Sequence, residues 1–184
     1  MYNFTKSLCV FLFVSLILWG CKDKEEEVIV PKNIIAYNGT EYDLSQGLLI
    51  DYGQFSKDEG HTQVLFLYSS GITVHENAGK IDSTSGTGQL IYLEMFSPVT
   101  GLLADGEYTY DIYKTYKPST FDYAYAVLNA DYYTAEGDLY EMISGKVTVK
   151  KEKENYTISF DCIEGEGKHI TGFYKGPLKY YDER

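Results

Sequence analysis

The chain of 184 residues is acidic: 27 aspartates and glutamates stand against 16 lysines and arginines, which gives a formal net charge of −11. This charge argues against nucleic acid or an anionic membrane surface as a partner, because both require a cationic face. The 19 tyrosines and 17 glycines favour an all-β protein, since tyrosine suits strands in which the ring packs and the hydroxyl stays hydrated.

Residues 1–20 have the composition of a secretory signal peptide. A single charge, Lys6, precedes an apolar run from Ser7 to Trp19, which is shorter than the about 20 residues that a membrane span needs. The run ends in Leu18-Trp19-Gly20-Cys21, which resembles the lipobox of bacterial lipoproteins. The resemblance implies cleavage before Cys21, attachment of diacylglycerol to its sulfur and of an acyl chain such as palmitate to its amine, and anchoring in a membrane. The alternative is an ordinary signal peptide, or one that is not cleaved.

Residues 21–33 are predicted to be an acidic tether, which Pro31 ends. Within it, Lys22-Asp23 and Lys24-Glu25-Glu26-Glu27 resemble the export signal of surface-displayed lipoproteins of the Bacteroidetes. That resemblance implies the outer membrane as location, with the protein facing the exterior. The alternative is a solvated tether on the periplasmic face.

Cleavage would leave a mature chain with a distinctive composition. Removal of residues 1–20 takes away Lys6, so 15 basic residues would remain against 27 acids, a formal charge of −12. Trp19, the only tryptophan, would also be lost. Cys9 leaves with the signal and Cys21 is lipidated, so Cys162 remains without a partner for an internal disulfide.

Residues 34–184 are predicted to form one β domain. A first hairpin is predicted from 34–37 to 40–44, because Asn38-Gly39 favours a tight type I′ turn. Further strands are predicted at 48–52, 63–68 and 72–74. His75 to Gly88, rich in glycine, serine and threonine, is predicted to be a long flexible loop.

The middle of the domain combines one clear strand with a less regular region. Residues 89–96 alternate, so Ile91, Leu93 and Met95 are expected on one face, with Tyr92 and Glu94 on the other. Asp105-Gly106 predicts a second tight turn before a strand at 108–111. Within the irregular stretch 112–143, only 121–128 is predicted to be a strand.

The C-terminal part predicts a meander. Its strands are expected at 146–150, 156–162 and 168–174, with 178–181 as a fourth. About ten short strands favour an antiparallel two-sheet β-sandwich, or alternatively a lipocalin-like β-barrel. The closing meander with its tail 172–182 resembles small uncharacterised β-rich lipoproteins of the Bacteroidetes. The resemblance extends over most of the mature chain and implies no known activity.

Neither a catalytic centre nor a cofactor or metal site is predicted. His61, His75 and His169 lack the local spacing of zinc ligands. Cys162 could face His169 across a hairpin, but it shares an apolar face with Ile158 and Phe160, which favours a buried, inert thiol. The sequence therefore does not predict an enzyme.

The tyrosines of the region 108–140 supply the candidate ligand patch. The candidate residues are Tyr116, Tyr123, Tyr125, Tyr132 and Tyr133, because exposed aromatic rings stack on sugars and on partner proteins. The alternative is that these rings only pave the sheet. Separately, Asp82-Ser83-Thr84 resembles the O-glycosylation motif of the Bacteroidetes, which makes Ser83 a candidate acceptor of an O-linked glycan.

These features together predict a lipid-anchored lipoprotein of the cell envelope. Its β domain is expected to be a surface-displayed binding module for a glycan or a protein. The alternative is a structural or accessory subunit of an envelope complex or surface appendage.

Overall fold

The computed structural model describes residues 31–184, and within this range the chain forms strands and no helix. The prediction of an all-β protein is thereby confirmed. The strands are β1 (Ile34–Tyr37), β2 (Thr40–Asp43), β3 (Gln46–Gly53), β4 (His61–Tyr68), β5 (Ile72–Asn77), β6 (Lys80–Ser97), β7 (Gly106–Tyr110), β8 (Thr120–Asp131), β9 (Glu136–Glu152), β10 (Asn155–Glu164), β11 (His169–Pro177) and β12 (Lys179–Asp182). The predicted signal peptide, lipidated Cys21 and tether as far as Val30 lie outside the described residues.

All twelve strands belong to one curled sheet, which forms a half-barrel. The strand order is β12-β3-β4-β6-β8-β7-β9-β10-β11-β1-β2, and β5 pairs with β6. Most pairs are antiparallel, but β12 runs parallel to β3, and β7 runs parallel to β8. Because the strands form one connected sheet, the predicted two-sheet sandwich is not confirmed.

Alternation along the strands divides the apolar side chains between two faces. The inner face carries the main core, to which Leu65 of β4, Leu93 of β6 and Ile158 of β10 contribute fully buried side chains. A second, smaller core lies on the outer face of β3, β4 and β6. Its buried members are Leu48, Tyr68, Ile72, Leu90 and Tyr181.

The outer core has its own cover, formed by β5 and the first half of β6. This cover hairpin, residues 72–87, pairs along itself from Ile72 with Gly86 to Asn77 with Lys80. Val74 and Ile81 of the hairpin pack against the outer core. The predicted flexible loop from His75 to Gly88 is therefore wrong: the segment is β structure, held by the apolar surface beneath it.

The first predicted hairpin and the predicted meander are present, but the last strand of the chain pairs with a different neighbour from the one predicted. Asn38 and Gly39 both have positive φ, 49° and 78°, as a type I′ turn requires. Strands β9, β10 and β11 form the predicted meander. The fourth strand expected there, 178–181, instead corresponds to β12, which leaves the meander and pairs with β3.

The buried Asp51 of β3 helps to hold β12 in place. Its carboxylate accepts hydrogen bonds from the backbone N–H groups of Gly53 and Gly101, each at 2.8 Å, and from the hydroxyl of Tyr180 at 3.1 Å. A buried carboxylate needs such donors. The contact joins the end of the chain to its third strand.

Candidate ligand-binding surface on the outer face

Tyrosines from three strands meet on the outer face of the sheet. Tyr92 of β6 lies directly opposite Tyr125 of β8, and Tyr123 of β8 lies opposite Glu94. Tyr52 of β3 and Tyr132, just after β8, complete the group. We call Tyr52, Tyr92, Tyr123, Tyr125 and Tyr132 the outer tyrosine surface.

Three of the five rings contact one another in specific geometries. Tyr92 and Tyr125 are stacked, with centroids 5.0 Å apart and planes inclined by 9°. Tyr123 meets both rings edge-on, at 5.8 Å from Tyr92 and 5.6 Å from Tyr125. These are favourable arrangements of aromatic quadrupoles. Tyr123 is nevertheless 46% exposed and Tyr52 41%, so part of the surface is open to a ligand.

Burial affects the pKa of the Tyr92 and Tyr125 hydroxyls of the surface. Burial, followed by the nearby Glu94, raises the pKa of Tyr92 far above its ordinary value. Burial also raises the pKa of Tyr125, with Tyr123 and Tyr132 as further causes. The hydroxyls of Tyr92 and Tyr125 therefore stay hydrogen-bond donors through the physiological pH range.

A partly open cleft of about 250 Å³ lies between the sheet and the cover hairpin. We call it the outer cleft. None of its lining residues carries a charge. They are Leu48, Ile50, Val64, Phe66, Val74, Ile81, Thr84, Tyr92, Tyr125 and Tyr132.

Ionic contacts fasten the tip of the cover hairpin to β12 and to the residue that follows it. Glu76 pairs with Lys179 of β12 and accepts a hydrogen bond of 2.8 Å from the hydroxyl of Tyr181. Lys80, at the other side of the tip, pairs with Glu183 at 2.5 Å. The hairpin thus spans the outer face from β6 to β12 and bounds the cleft.

The five residues of the predicted ligand patch do not all lie together in the structure. Tyr125 and Tyr132 line the outer cleft, and Tyr123 lies beside them. Tyr116 packs against Phe96 at 5.2 Å, near Glu94. Tyr133, 81% exposed, lies in the turn between β8 and β9 and makes none of these ring contacts.

Sequence reasoning did not select Tyr52 and Tyr92 as part of a ligand patch. The signal for Tyr92 was present, because alternation places it on the face opposite Ile91 and Leu93. For Tyr52 the local sequence carries no such signal. Its position depends on the pairing of β3 with β4, which brings it to the same face as Tyr92.

The other candidate positions have simple surroundings. Ser83 lies in the cover hairpin, exposed, and its hydroxyl donates a hydrogen bond of 3.2 Å to Asp82. Cys162 is fully buried, and burial raises its pKa to about 12. Its direct partner on β11 is Ile170, whereas His169 pairs with Asp161 at 2.6 Å. The arrangement therefore does not join Cys162 and His169 as a nucleophile and its base.

Within residues 31–184, no group of three or more histidine, cysteine or acidic side chains is placed to hold a metal ion. The same range contains no helix that is long and apolar enough to cross a membrane. Comparison with protein-family models, with curated proteins and with solved structures finds no match to this chain.

Proposed function

We propose that this chain is a lipid-anchored binding module of the bacterial cell envelope, displayed on the outer membrane and facing the exterior. The anchor part of the proposal is supported by the lipobox-like Leu18–Cys21 and by the Lys/acidic segment after it. The binding part is supported by one observation, the outer tyrosine surface. No activity as an enzyme is proposed.

The outer tyrosine surface suits recognition because it is aromatic and partly exposed. Aromatic patches that remain open on a folded domain mark contact sites. Tyr52 and Tyr123 offer ring faces for stacking on a sugar or for packing against a protein. The neighbouring Glu94 disfavours an anionic ligand. The ligand is accordingly a neutral or cationic glycan, or a protein surface of that charge.

A paired binding screen tests this proposal. The full chain carrying Cys21→Ser, which removes the lipid acceptor, is applied to a glycan array and used as bait in crosslinking pull-downs from cell-surface extracts. Tyr52→Ala and Tyr123→Ala should each weaken capture of the ligand at least tenfold. Tyr113→Ala is the matched control, since this ring is 85% exposed and takes no part in the ring contacts of the surface. Equal capture by all variants would overturn the proposed role of the tyrosines.

The anchor and location are tested separately. Metabolic labelling with an alkyne analogue of palmitate should mark the wild-type protein and leave Cys21→Ser unlabelled. Protease treatment of intact cells should degrade an outward-facing protein and spare one on the periplasmic face. The processed protein should also lack tryptophan fluorescence, because Trp19 is the only tryptophan.

We further propose that the curled sheet is a lipocalin-like open barrel rather than a sandwich. The unbroken strand order supports this, and so does the approach of β3 to the C-terminal strands. A Cβ added at Gly47 would lie 2.5 Å from Cδ2 of Leu178 and 3.2 Å from Cζ of Tyr174. Gly47→Val should therefore destabilise the fold, as measured by denaturant unfolding.

Ser83 is proposed as an O-glycan acceptor on the strength of its motif, with its exposed position in support. Intact mass of the protein from its native host should show an added glycan that is absent from Ser83→Ala. A mass equal to that of the bare polypeptide would remove Ser83 from consideration.

A further inference from the structure

We propose that the outer cleft binds a small, uncharged, largely apolar molecule of about the size of one aromatic ring with a short substituent. This inference rests on the proposed binding function of the outer face, because Tyr92, Tyr125 and Tyr132 belong both to the cleft and to the outer tyrosine surface. It adds a second, smaller ligand to the macromolecule proposed above.

The lining determines the charge and polarity of the ligand. Leu48, Ile50 and Val64 form the floor on the sheet, and Val74 and Ile81 approach from the cover hairpin. A buried charge without a partner is strongly unfavourable, and none of the lining residues could neutralise one. Apolar surface removed from water contributes roughly 25 cal/mol per Å², so an uncharged apolar group gains most from this site.

The volume determines the size of the ligand. A dry cavity of about 150 Å³ lined by aliphatic and aromatic side chains binds benzene, and the outer cleft has about 250 Å³. Sites for drug-sized ligands begin at about 300 Å³. One substituted ring therefore fits, whereas a disaccharide does not.

Hydroxyl-bearing residues in the lining supply its polar groups. Tyr92, Tyr125 and Tyr132 each bring a phenol to the lining, and Thr84 brings an alcohol from the cover hairpin. Such groups orient a ligand by one or two hydrogen bonds without demanding charge. A phenol-like molecule, apolar with a single hydroxyl, matches this combination.

The cover hairpin favours a free small molecule over a segment of a partner protein. Its tip is fastened to β12 through Glu76–Lys179 and to the residue after β12 through Lys80–Glu183. A polypeptide segment would have to thread beneath this closed hairpin. A single ring needs no such threading, because Tyr132 of the lining is itself 37% exposed.

Methyl NMR of the full chain carrying Cys21→Ser tests the inference with p-cresol as probe. Titration should shift the methyl signals of Val64, Val74 and Ile81 in a saturable way. The methyls of Leu93 and Ile158, in the inner core, should stay unchanged. The anionic 4-hydroxybenzoate, which has the same ring and hydroxyl, should bind at least tenfold more weakly.

Matched variants locate the binding. Ile81→Asp places a charge in the cleft from the exposed hairpin and should weaken p-cresol binding at least tenfold. Ile143→Asp, at a position 49% exposed on β9, introduces the same charge elsewhere and should leave binding unchanged. Ile81→Phe is a second variant for the case that Ile81→Asp disturbs the fold. It fills the cleft without adding charge and should also abolish binding.

Three outcomes would overturn the inference: equal shifts in both cores, equal binding of 4-hydroxybenzoate, or binding of peptides carrying a phenylalanine but not of p-cresol. The two proposals fail separately. Loss of p-cresol binding with retained, Tyr123-dependent capture of a glycan or protein would refute the cleft ligand alone. Saturable p-cresol binding without such capture would refute only the macromolecular ligand.

Discussion

Cys162 is chemically protected by its position in the inner core. Its side chain is fully buried, and burial raises its pKa from 9.0 to about 12. The thiolate is the reactive form, so the folded protein should react with a disulfide reagent only when it opens. With Cys9→Ser and Cys21→Ser removing the other thiols, modification at pH 8 should be at least about 100-fold slower than in denaturant.

The same shift has a consequence for alkaline stability. The unfolded thiol releases its proton near pH 9, whereas the folded one retains it up to about pH 12. Above pH 9 the unfolded state therefore gains the free energy of deprotonating this thiol, and the free energy of unfolding should decline as the pH rises. Cys162→Ala should show a smaller decline between pH 9 and 11. Rapid thiol modification of the folded protein at pH 8 would contradict the buried position.

Gly145 is a position where the fold accepts no side chain. It lies opposite Cys162 in the β9–β10 pair and has a φ of 139°. An added Cβ would lie 2.5 Å from the Cα of Cys162, against backbone that cannot easily move. Gly145→Ala should lower the free energy of unfolding by about 2 kcal/mol or more, from overpacking and backbone strain.

Gly165→Ala is the matched control for this change. An added Cβ at Gly165 meets nothing within 4 Å, and its φ is not positive. Denaturant unfolding followed by circular dichroism compares the two variants. Equal midpoints for Gly145→Ala and the wild type would show that the strand pair can relax around the methyl group.

At the scale of elements, the cover hairpin shows where sequence reasoning reaches its limit. Its glycines, serines and threonines are typical of loops, and alternation in 80–88 is weak. What makes the segment a hairpin is tertiary: Val74 and Ile81 cover apolar residues of β3, β4 and β6. The strands β10 and β11 and the second half of β9, by contrast, carry clear alternation and short turns, and their sequence alone predicted them. The first half of β9 falls in the stretch 112–143, where no strand was predicted after 128.

The fastening of the hairpin tip makes its dynamics sensitive to charge. Lys179→Glu places two carboxylates together at Glu76 and should increase amide exchange across residues 72–87. The double charge swap Glu76→Lys with Lys179→Glu should restore much of the protection. High salt should raise exchange in the wild type, since exposed ion pairs are screened.

Hydrogen exchange followed by mass spectrometry measures this effect. Lys168→Glu is the control, because it disrupts another exposed pair, with Glu166 in the turn before β11. Its hairpin exchange should equal that of the wild type. Unchanged hairpin exchange in Lys179→Glu would mean that apolar packing alone holds the hairpin closed.

At the scale of the whole molecule, the sequence could not predict the pairing of strands that lie far apart in the chain. Neighbouring strands joined by short turns are coded locally, as Asn38-Gly39 illustrates. The parallel pairing of β12 with β3 joins residues about 130 positions apart, and no local pattern specifies it. The outer face therefore could not be assembled from sequence, although Tyr123, Tyr125 and Tyr132 were chosen from it for their chemistry.

These long-range pairings predict that both cores unfold together. Tyr181 of β12 is 4% exposed, packs in the outer core and donates a hydrogen bond to Glu76. Tyr181→Ala should lower the free energy of unfolding by about 3 kcal/mol, as for other large core truncations. Because β12 is bound to β3, whose Leu49 belongs to the inner core, the loss should shift one cooperative transition.

Methyl signals of Val64 in the cleft and Ile158 in the inner core should then disappear at the same denaturant concentration. The control Tyr113→Ala should leave that concentration unchanged. Earlier loss of the Val64 signal would instead make the cover hairpin, β12 and the outer core a separate, less stable unit, in which the cleft opens without unfolding the half-barrel.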